Sequence, residues 1–301
     1  MNLNYLAIDI GGTNLKYGVI DHSGILIEKH SEPTETTSLS AFLEQLTRIV
    51  THYTDQIKGV GISVPGKVDH KDDTIYGGGA LRFLDQVNLP KLLNSQVPIS
   101  VENDGKSAAL AELWLGNLKA VQNGAAVVLG TGVGGGLIFN GQLYAGSHFQ
   151  AGELSFMSVG QNLNNEDNWI GRRGSAVLMI ERIATEIGLS NKYDGYAVFE
   201  AINQRHEVAW PIFEAYANEI AHLIYNVQAI VDVDRVVIGG GISAQKIVTT
   251  TIQQAYDKLF HSNEIVTSVL TSVEILPSKF ANDANLYGAI YHLLMTINKE
   301  V

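Results

Sequence analysis

One pattern occurs twice in this chain of 301 residues and constrains its fold more than any other feature. An apolar strand, a glycine loop and a second strand stand in "YLAIDIGGTNLKYGVI" and again in "AAVVLGTGVGGGLIF". Four residues separate Gly12-Thr13 from the following "GVI", and four separate Gly130-Thr131 from "GLI", at an offset of 118. The repeat predicts two related halves, each with a β-hairpin whose turn is a Gly-Thr loop.

Strands and helices alternate along the rest of the chain. Apolar residues at helical spacing predict helices over residues 38–57, 211–231, 244–260 and 282–298, and "GKSAALAELWLG" predicts another that ends at Gly116. Short apolar runs predict strands in "GVGISVPG", "PISVEND", "RVVIGGGIS" and "VEILPS". This alternation is typical of an α/β fold, and the length suggests about two domains.

Composition excludes several classes of function. The absence of cysteine excludes disulfides and thiolate metal sites and suits a reducing compartment. A net charge of −11 disfavours nucleic acid and anionic membranes as partners. No apolar run approaches the roughly 18 residues of a membrane span, and the first residues enter a strand without a signal peptide. We therefore expect a cytoplasmic protein.

The glycine loop of the second half matches a dinucleotide fingerprint as a string, Gly130-x-Gly132-x-x-Gly135. That fingerprint must open a helix, whereas the residues that follow, "GLIFNGQLY", predict a strand and a hairpin turn. The Rossmann interpretation is therefore rejected. Either the glycines only make tight turns, or the two Gly-Thr loops cradle phosphate oxygens with backbone N–H groups. The matched spacing of the two loops favours phosphate cradles that grip one polyphosphate from both sides.

A carboxylate interrupts the first apolar strand at Asp9. A buried carboxylate is costly unless a positive or hydrogen-bonding group compensates it. Beside a phosphate cradle, a Mg²⁺ ion held by carboxylate, water and phosphate would do so. The alternative is an aspartate at a strand end that points to water.

Three further segments allow either a functional or a purely structural interpretation. In "VENDGKS", Asp104 is either a base that takes a hydroxyl proton, with Asn103 holding the substrate, or a helix N-cap. The glycines of "GGGIS" at 239–243 either admit a flat ligand such as adenine or only pack a strand against a helix. Glu153 in "QAGELSF" has no role by itself beyond that of a surface loop glutamate.

Together, "AIDIGGTNLKYGVID", "VENDGKSAALAE", "VVLGTGVGGGLIFNGQLYAGSHFQAGE" and "VVIGGGIS" resemble the ROK family of sugar kinases, named for repressors, open reading frames and kinases. The resemblance covers nearly the whole chain. It implies an α/β, two-domain actin-like ATPase (ribonuclease H-like) fold with a cleft between the domains, in a homodimer. The implied domains are residues 1–117, on which a last helix at 282–298 packs back, and residues 118–281.

The resemblance implies roles for matching positions. Asp104 is the base, and the other sugar contacts are Gly66, Asn103 and Glu153. Asp9 holds Mg²⁺ through water. The implied nucleotide contacts are Gly11, Gly12, Thr13, Asn14, Lys16, Gly130, Thr131, Gly132, Gly240 and Gly241. The implied reaction transfers the γ-phosphate of ATP to a hydroxyl, usually the 6-hydroxyl, of a hexose such as glucose or a β-glucoside.

Two alternatives stay open. One is a kinase of another sugar, such as fructose or N-acetylmannosamine. The other is a non-catalytic, sugar-responsive regulator. A repressor of this family needs an added N-terminal helix-turn-helix domain, whereas only about five residues precede the first strand here.

Several positions depart from the family pattern. Phe156 replaces a histidine, and Phe149 replaces a glycine. The cysteines of the family's zinc motif are replaced by Asn168, Ile170 and Ser175, and Val177 replaces its glutamate. We therefore expect no structural zinc. The missing histidine and glutamate reach the C1–C2 side of the sugar in relatives, so apolar Phe156 and Val177 predict tolerance of a hexose substituted near its anomeric carbon.

Overall fold

The computed structural model describes residues 3–299 and divides into two compact units. Unit 1 comprises Met1–Lys119, Leu143–Ala151 and Asp283–Val301, and unit 2 comprises Ala120–Gln142 and Gly152–Asn282. The strands are β1 (Asn4–Ile10), β2 (Asn14–Asp21), β3 (Leu26–Pro33), β4 (Val60–Val64), β5 (Lys67–Asp69), β6 (Thr74–Tyr76), β7 (Val87–Asn88), β8 (Ile99–Asn103), β9 (Gly124–Leu129), β10 (Val133–Phe139), β11 (Gln142–Tyr144), β12 (Arg235–Gly239) and β13 (Glu274–Pro277).

Helices separate and follow these strands. They are α1 (Leu39–Tyr53), α2 (Leu89–Leu93), α3 (Asp104–Leu115), α4 (Ile170–Arg173), α5 (Ala176–Glu186), α6 (Gly195–Asn203), α7 (Ala209–Val231), α8 (Lys246–Phe260), α9 (Glu264–Val269) and α10 (Ala284–Lys299). None of those in residues 3–299 combines the length and apolarity that crossing a bilayer needs.

The two units contain sheets of the same topology. In unit 1 the order is β3-β2-β1-β4-β8, with β1 antiparallel to β2 and parallel to β4, and β4 parallel to β8. In the second sheet the order is β11-β10-β9-β12-β13, with β9 antiparallel to β10 and parallel to β12. The predicted pair of related halves is therefore confirmed, since each half is a hairpin extended by parallel strands.

Unit 1 packs helices on its sheet. Ser38 caps α1 by accepting from the N–H of Ala41, and the apolar positions of that helix lie in the unit's core. Helix α10 covers β1 with Leu286, Ile290 and Leu293, as a last helix packing back on the N-terminal strands would. The core of unit 2 lies between its sheet and helices α5 to α8.

Some elements lie outside the sequence-based expectations. A small sheet of β5, β6 and β7, and the helices α2, α4, α5, α6 and α9, were not anticipated. Residues 143–151 group with unit 1, whereas the expected boundary placed them in the second domain. One reason is Phe149, whose ring lies 5.0 Å from the ring of His70 in unit 1. The domain boundaries themselves stay a prediction.

Candidate active site

In unit 1, three parallel strands bring predicted site residues to one edge of the sheet. Asp9 lies near the end of β1, Gly66 follows β4, and Asn103 ends β8. Asp9 is in register with Ser63, and Ser63 with Glu102. Because the carboxyl ends of neighbouring parallel strands meet at the same edge, the sequence places these groups together.

Asp9 is buried and has partners of both expected kinds. Its Oδ2 lies 3.5 Å from the Lys16 ammonium, which is opposite it on β2. Its Oδ1 accepts a hydrogen bond of 3.0 Å from the amide of Asn285, on α10. The alternative of an aspartate that points to water is wrong, since the residue is 7% exposed. Asn285 was missed because 276 positions separate it from Asp9.

The first glycine loop is a tight turn that leaves its tip accessible. The N–H of Gly11 donates to the carbonyl of Asn14 at 3.1 Å, which closes the turn. The hydroxyl of Thr34 donates to the carbonyl of Gly11 at 2.7 Å and fixes the loop from outside. Gly12, Thr13 and Asn14 are exposed. The loop therefore presents backbone groups and a hydroxyl to a ligand, as a phosphate cradle requires.

The junction of β8 and α3 differs in one respect from the expectation. The N-cap of α3 is Asn103, whose Oδ1 accepts from the N–H of Lys106 at 3.1 Å, and Asp104 lies in the first turn. The Asn103 amide also donates to the carbonyl of Gly66 at 2.9 Å and to Asp104 Oδ1 at 3.0 Å. Asp104 is therefore not the N-cap, and Asn103 orients its carboxylate.

Position 66 accommodates only glycine. Its φ is +91°, and a Cβ would lie 2.6 Å from the nitrogen of Gly78 and from the carbonyl oxygen of Tyr76. A side chain at this position would push apart the turn that holds Asn103.

In unit 2, the second glycine loop joins β9 to β10. The N–H of Gly130 donates to the carbonyl of Gly132 at 3.0 Å, and the carbonyl of Gly130 accepts from Ala176, the first residue of α5, at 3.0 Å. Ser155 braces the loop, since its hydroxyl accepts from the N–H of Val133 at 2.9 Å. Thr131 is exposed at the tip. The two loops thus share a hairpin position, an exposed threonine and an external hydroxyl brace.

The "GGGIS" glycines lie beside this loop. Strands β9 and β12 are parallel, with Gly239 in register with Val128, so Gly240 follows one strand where Gly130 follows the other. Gly240 has φ +93°, and a Cβ there would overlap the carbonyl of Leu129. Gly241 is exposed. The structure therefore brings Gly130–Gly132 and Gly240–Gly241 to adjacent strand ends.

Glu153 belongs to unit 2 and is partly buried at the start of the 3₁₀ helix Leu154–Phe156. The ring of Phe156 is 66% exposed and lies 5.9 Å from the ring of Trp169. Val177, in the first turn of α5, is partly buried. Phe156 thus lies three positions from Glu153 in the chain, and its ring is paired with that of Trp169 but largely open to solvent.

The positions that replace the zinc cysteines take part in ordinary packing and hydrogen bonding. The Asn168 amide donates to the carbonyl of Asn162 at 3.0 Å. Ile170 is buried in the core of unit 2, and Ser175 caps α5 by accepting from Leu178 at 3.2 Å. These contacts give the segment a means of holding its shape that differs from a metal cluster.

A buried cluster in unit 1 was missed altogether. Glu102 Oε2 lies 3.1 Å from His70 Nε2 and 3.5 Å from His292 Nδ1. No short sequence spacing signals it, because its members come from a turn, a strand and the C-terminal helix. A charged residue within the apolar strand "PISVEN" was the one sign that a compensating partner should exist.

The cluster shifts the titration of its members. Burial disfavours the charged imidazole, but the hydrogen bond and negative charge of Glu102 outweigh it, so the pKa of His70 is raised. At Glu102, burial favours the neutral acid, but the hydrogen bond from His70 and the charges of both histidines lower the pKa of the carboxyl. Glu102 is thus held as a buried carboxylate.

Known proteins resemble this chain over nearly its whole length. The sequence model described as "ROK family" matches residues 5–295. A "Beta-glucoside kinase" of Listeria monocytogenes is 30% identical over 306 residues, covering 98% of both chains. A ROK family protein from Streptococcus pneumoniae, solved in complex with sucrose, superposes with a TM-score of 0.86 at 26% identity over 99% of this chain and 100% of its own.

A more distant structure shows the shared fold alone. It is a ROK family glucokinase from Streptomyces griseus in complex with glucose and AMPPNP, with a TM-score of 0.82 and 22% identity over 95% of this chain and 97% of its own.

Proposed function

The chain belongs to the ROK family, and we propose that it is an ATP-dependent carbohydrate kinase that transfers the γ-phosphate to the 6-hydroxyl of a hexose. The observation that carries the proposal is the Asp104 carboxylate at the β8–α3 junction, oriented by the amide of Asn103. An ADP-release assay over a panel of hexoses, with Mg-ATP, tests it. If no sugar in the panel raises the rate of ADP release above the ATPase background, the proposal is contradicted.

The chemistry required of the protein is modest. In phosphoryl transfer the protein positions the reactants and offsets developing charge, with little covalent work. Asp104 accepts the proton of the attacking hydroxyl, while Asn103 and Glu153 hold the sugar. The carbonyl of Gly66 fixes the Asn103 amide at 2.9 Å and so limits the orientations of the pair. Preorganisation of this kind lowers the entropic cost of reaching the reactive geometry.

The nucleotide is assigned to the glycine loops. Gly11, Gly12, Thr13, Asn14 and Lys16 form the first set of contacts to its phosphates. Gly130, Thr131 and Gly132 form the second, and Gly240 and Gly241 face the adenosine. The side-by-side placement of these last two sets at the ends of β9 and β12 supports this assignment.

Asp9 fits a Mg²⁺ ion that arrives with ATP. Carboxylate oxygens are the donors that Mg²⁺ prefers, and the ion keeps several waters in such sites. Because Lys16 and Asn285 already contact the carboxylate, Asp9 would hold the ion through water. Bound Mg²⁺ supplies positive charge against the phosphate oxygens. Lys16 contributes a second positive charge at the same edge of the sheet.

We assign the sugar to hexoses that carry a substituent near the anomeric carbon, such as β-glucosides. Phe156 and Val177 are apolar, and an apolar wall removes the penalty that an unpaired polar group imposes on a substituted sugar. The exposed ring of Phe156 and the name of the Listeria relative support this choice. Higher kcat/KM for fructose or N-acetylmannosamine than for glucosides in the same panel would contradict it.

The proposal extends to assembly and compartment. We expect a cytoplasmic homodimer of the 301-residue chain that binds neither nucleic acid nor membranes, in keeping with its net charge of −11. We also expect its domains to be residues 1–117 with 282–298, and residues 118–281. The molar mass measured by light scattering, as the protein elutes from a size-exclusion column, distinguishes the dimer from a monomer.

A further inference from the structure

The His70, Glu102 and His292 cluster has no part in the proposed reaction. Its ligand-type atoms, one from each residue, all lie within 4.8 Å of one another. Two imidazoles and one carboxylate form a donor set that holds zinc in proteins, with a fourth position left to water. Such a set suits Zn²⁺ and related transition ions better than Mg²⁺ or Ca²⁺.

The distances fit an ion of that size. Ligand atoms at about 2.0–2.2 Å from a tetrahedral centre stand roughly 3.3–3.6 Å apart. The two distances from Glu102 Oε2, 3.1 Å to His70 Nε2 and 3.5 Å to His292 Nδ1, are already close to this value. The third separation, between the two imidazole nitrogens, is within 4.8 Å, so the two rings would have to close on the ion.

Glu102 Oε2 also shows that the cluster is not fully satisfied. It is fully buried and makes no hydrogen bond of acceptable geometry, although both histidines are near. A buried polar atom left without a hydrogen bond is costly and calls for a partner. Glu102 Oε1, in contrast, accepts from the N–H of Asn103 at 2.8 Å and forms a hydrogen bond of 3.2 Å with His70 Nε2. Oε2 is therefore the atom aimed at the space between the imidazoles.

The three ligands stand on a rigid frame. Asp9 and Glu102 lie two strands apart in one row of the sheet, which is about 10 Å. Asn285 and His292, seven residues apart on α10, are also separated by about 10 Å. One face of α10 thus contacts both carboxylates, Asn285 at Asp9 and His292 at Glu102. His70 is supplied by the turn after β5.

The surroundings favour a cation and provide an entrance. Asp73 adds negative charge near His70, and Lys106 opposes it with one positive charge. The side chains of His70 and His292 are 23% and 15% exposed, whereas that of Glu102 is 1% exposed. The ring of Phe149 covers His70 at 5.0 Å, from a residue with φ +58°. An ion would enter from the histidine side.

From these contacts we propose that His70, Glu102 and His292 form a site for a divalent transition ion, with Zn²⁺ as its natural probe. Binding ties the turn after β5, the edge strand β8 and α10 together. The site lies in unit 1, so it is distinct from the segment around residues 168–177, for which no structural zinc is expected.

The test uses untagged, chelator-treated protein without nucleotide. Zn²⁺ is added, the protein is dialysed, and retained zinc is measured together with the melting temperature. We expect one zinc ion per chain and a higher melting temperature. Substitution His70→Gln or His292→Gln should weaken binding by more than about 100-fold, beyond the effect of losing an outer partner of a ligand. The matched control is His222→Gln, an exposed histidine on α7.

Co²⁺ provides a readout that does not depend on variants that fold. The wild-type protein with Co²⁺ should show the intense visible absorption of a four- or five-coordinate ion. Absence of that absorption, no retained zinc in the wild type, or zinc retention by both histidine variants equal to that of the wild type would each overturn the proposal. The last outcome would mean that the cluster is a hydrogen-bonded triad and that zinc binds elsewhere.

Discussion

The two sheets share a topology but differ in one row of residues. In unit 1 that row reads Asp9, Ser63 and Glu102 across three parallel strands. The offset of 118 residues carries Asp9 onto Val127 in unit 2, where the row reads Val127, Ile238 and Pro277. Val127 and Ile238 are buried, whereas Pro277 on the edge strand is exposed. The same frame therefore buries polar and charged side chains in unit 1 and apolar ones at the first two positions of the row in unit 2.

This difference indicates that the two units offer different kinds of chemical groups. Unit 1 presents carboxylates, a lysine and amides, to which the proposed reaction assigns the handling of charge and protons. Unit 2 presents two glycine turns at adjacent strand ends, whose backbone contacts suit phosphates and a flat base. The largest effects of side-chain substitution on the reaction should therefore come from unit 1. In unit 2, the largest effects should come from substitutions that replace a glycine of these turns and so add a Cβ.

The strongest test of the comparison is Asp104→Asn in unit 1. Loss of a general base costs roughly 10²–10⁴-fold in rate, so kcat should fall by that factor while sugar binding weakens only modestly. Because Asn103 caps α3, the substitution should leave the melting temperature close to that of the wild type. A folded variant with near wild-type kcat would remove Asp104 from the role of base.

In unit 2 the corresponding test is Gly240→Ala. The position has φ +93° and a Cβ would overlap the carbonyl of Leu129, so unfolding free energy should fall by roughly 1–3 kcal/mol or more. The matched control is Gly241→Ala, whose Cβ would meet only Asn282 Oδ1, at 3.7 Å. Denaturant titration measures both. Equal stability of the two variants would show that backbone shape at this turn is not constrained.

A smaller effect is expected for Asp9→Asn. If Asp9 holds Mg²⁺ through water, the apparent affinity for Mg²⁺ in the kinase assay should fall about 10–100-fold, as for outer partners of a metal. The control is Asp283→Asn, which removes an exposed pair with Lys29 and should change stability by less than about 1 kcal/mol. An unchanged Mg²⁺ requirement in Asp9→Asn would leave Lys16 and Asn285 as the only reasons for the buried carboxylate.

The sequence predicted the frame well because the frame depends on local patterns. The hairpin of β1 and β2, its copy in β9 and β10, and the cap at Gly116 are set by residues close in the chain. The cluster of Glu102 with His70 and His292 could not be predicted, since it depends on where α10 packs. The identity of the N-cap was also missed: in "VEND" both Asn103 and Asp104 are good caps, and backbone geometry decided between them.

The smallest effect is expected on the choice between sugars, which we attribute to an apolar side chain rather than to a charged one. Wild-type kcat/KM for methyl β-glucoside or cellobiose should equal or exceed that for glucose. If the substituent covers about 50 Å² of the Phe156 ring, it gains about 1.3 kcal/mol, so Phe156→Ala should lower the glucoside-to-glucose ratio roughly tenfold. The control is Tyr196→Ala, an aromatic residue of α6 that is 89% exposed. Inactive glucosides beside rapid turnover of glucose would show that Phe156 does not line the sugar site and that the anomeric side is closed by another group.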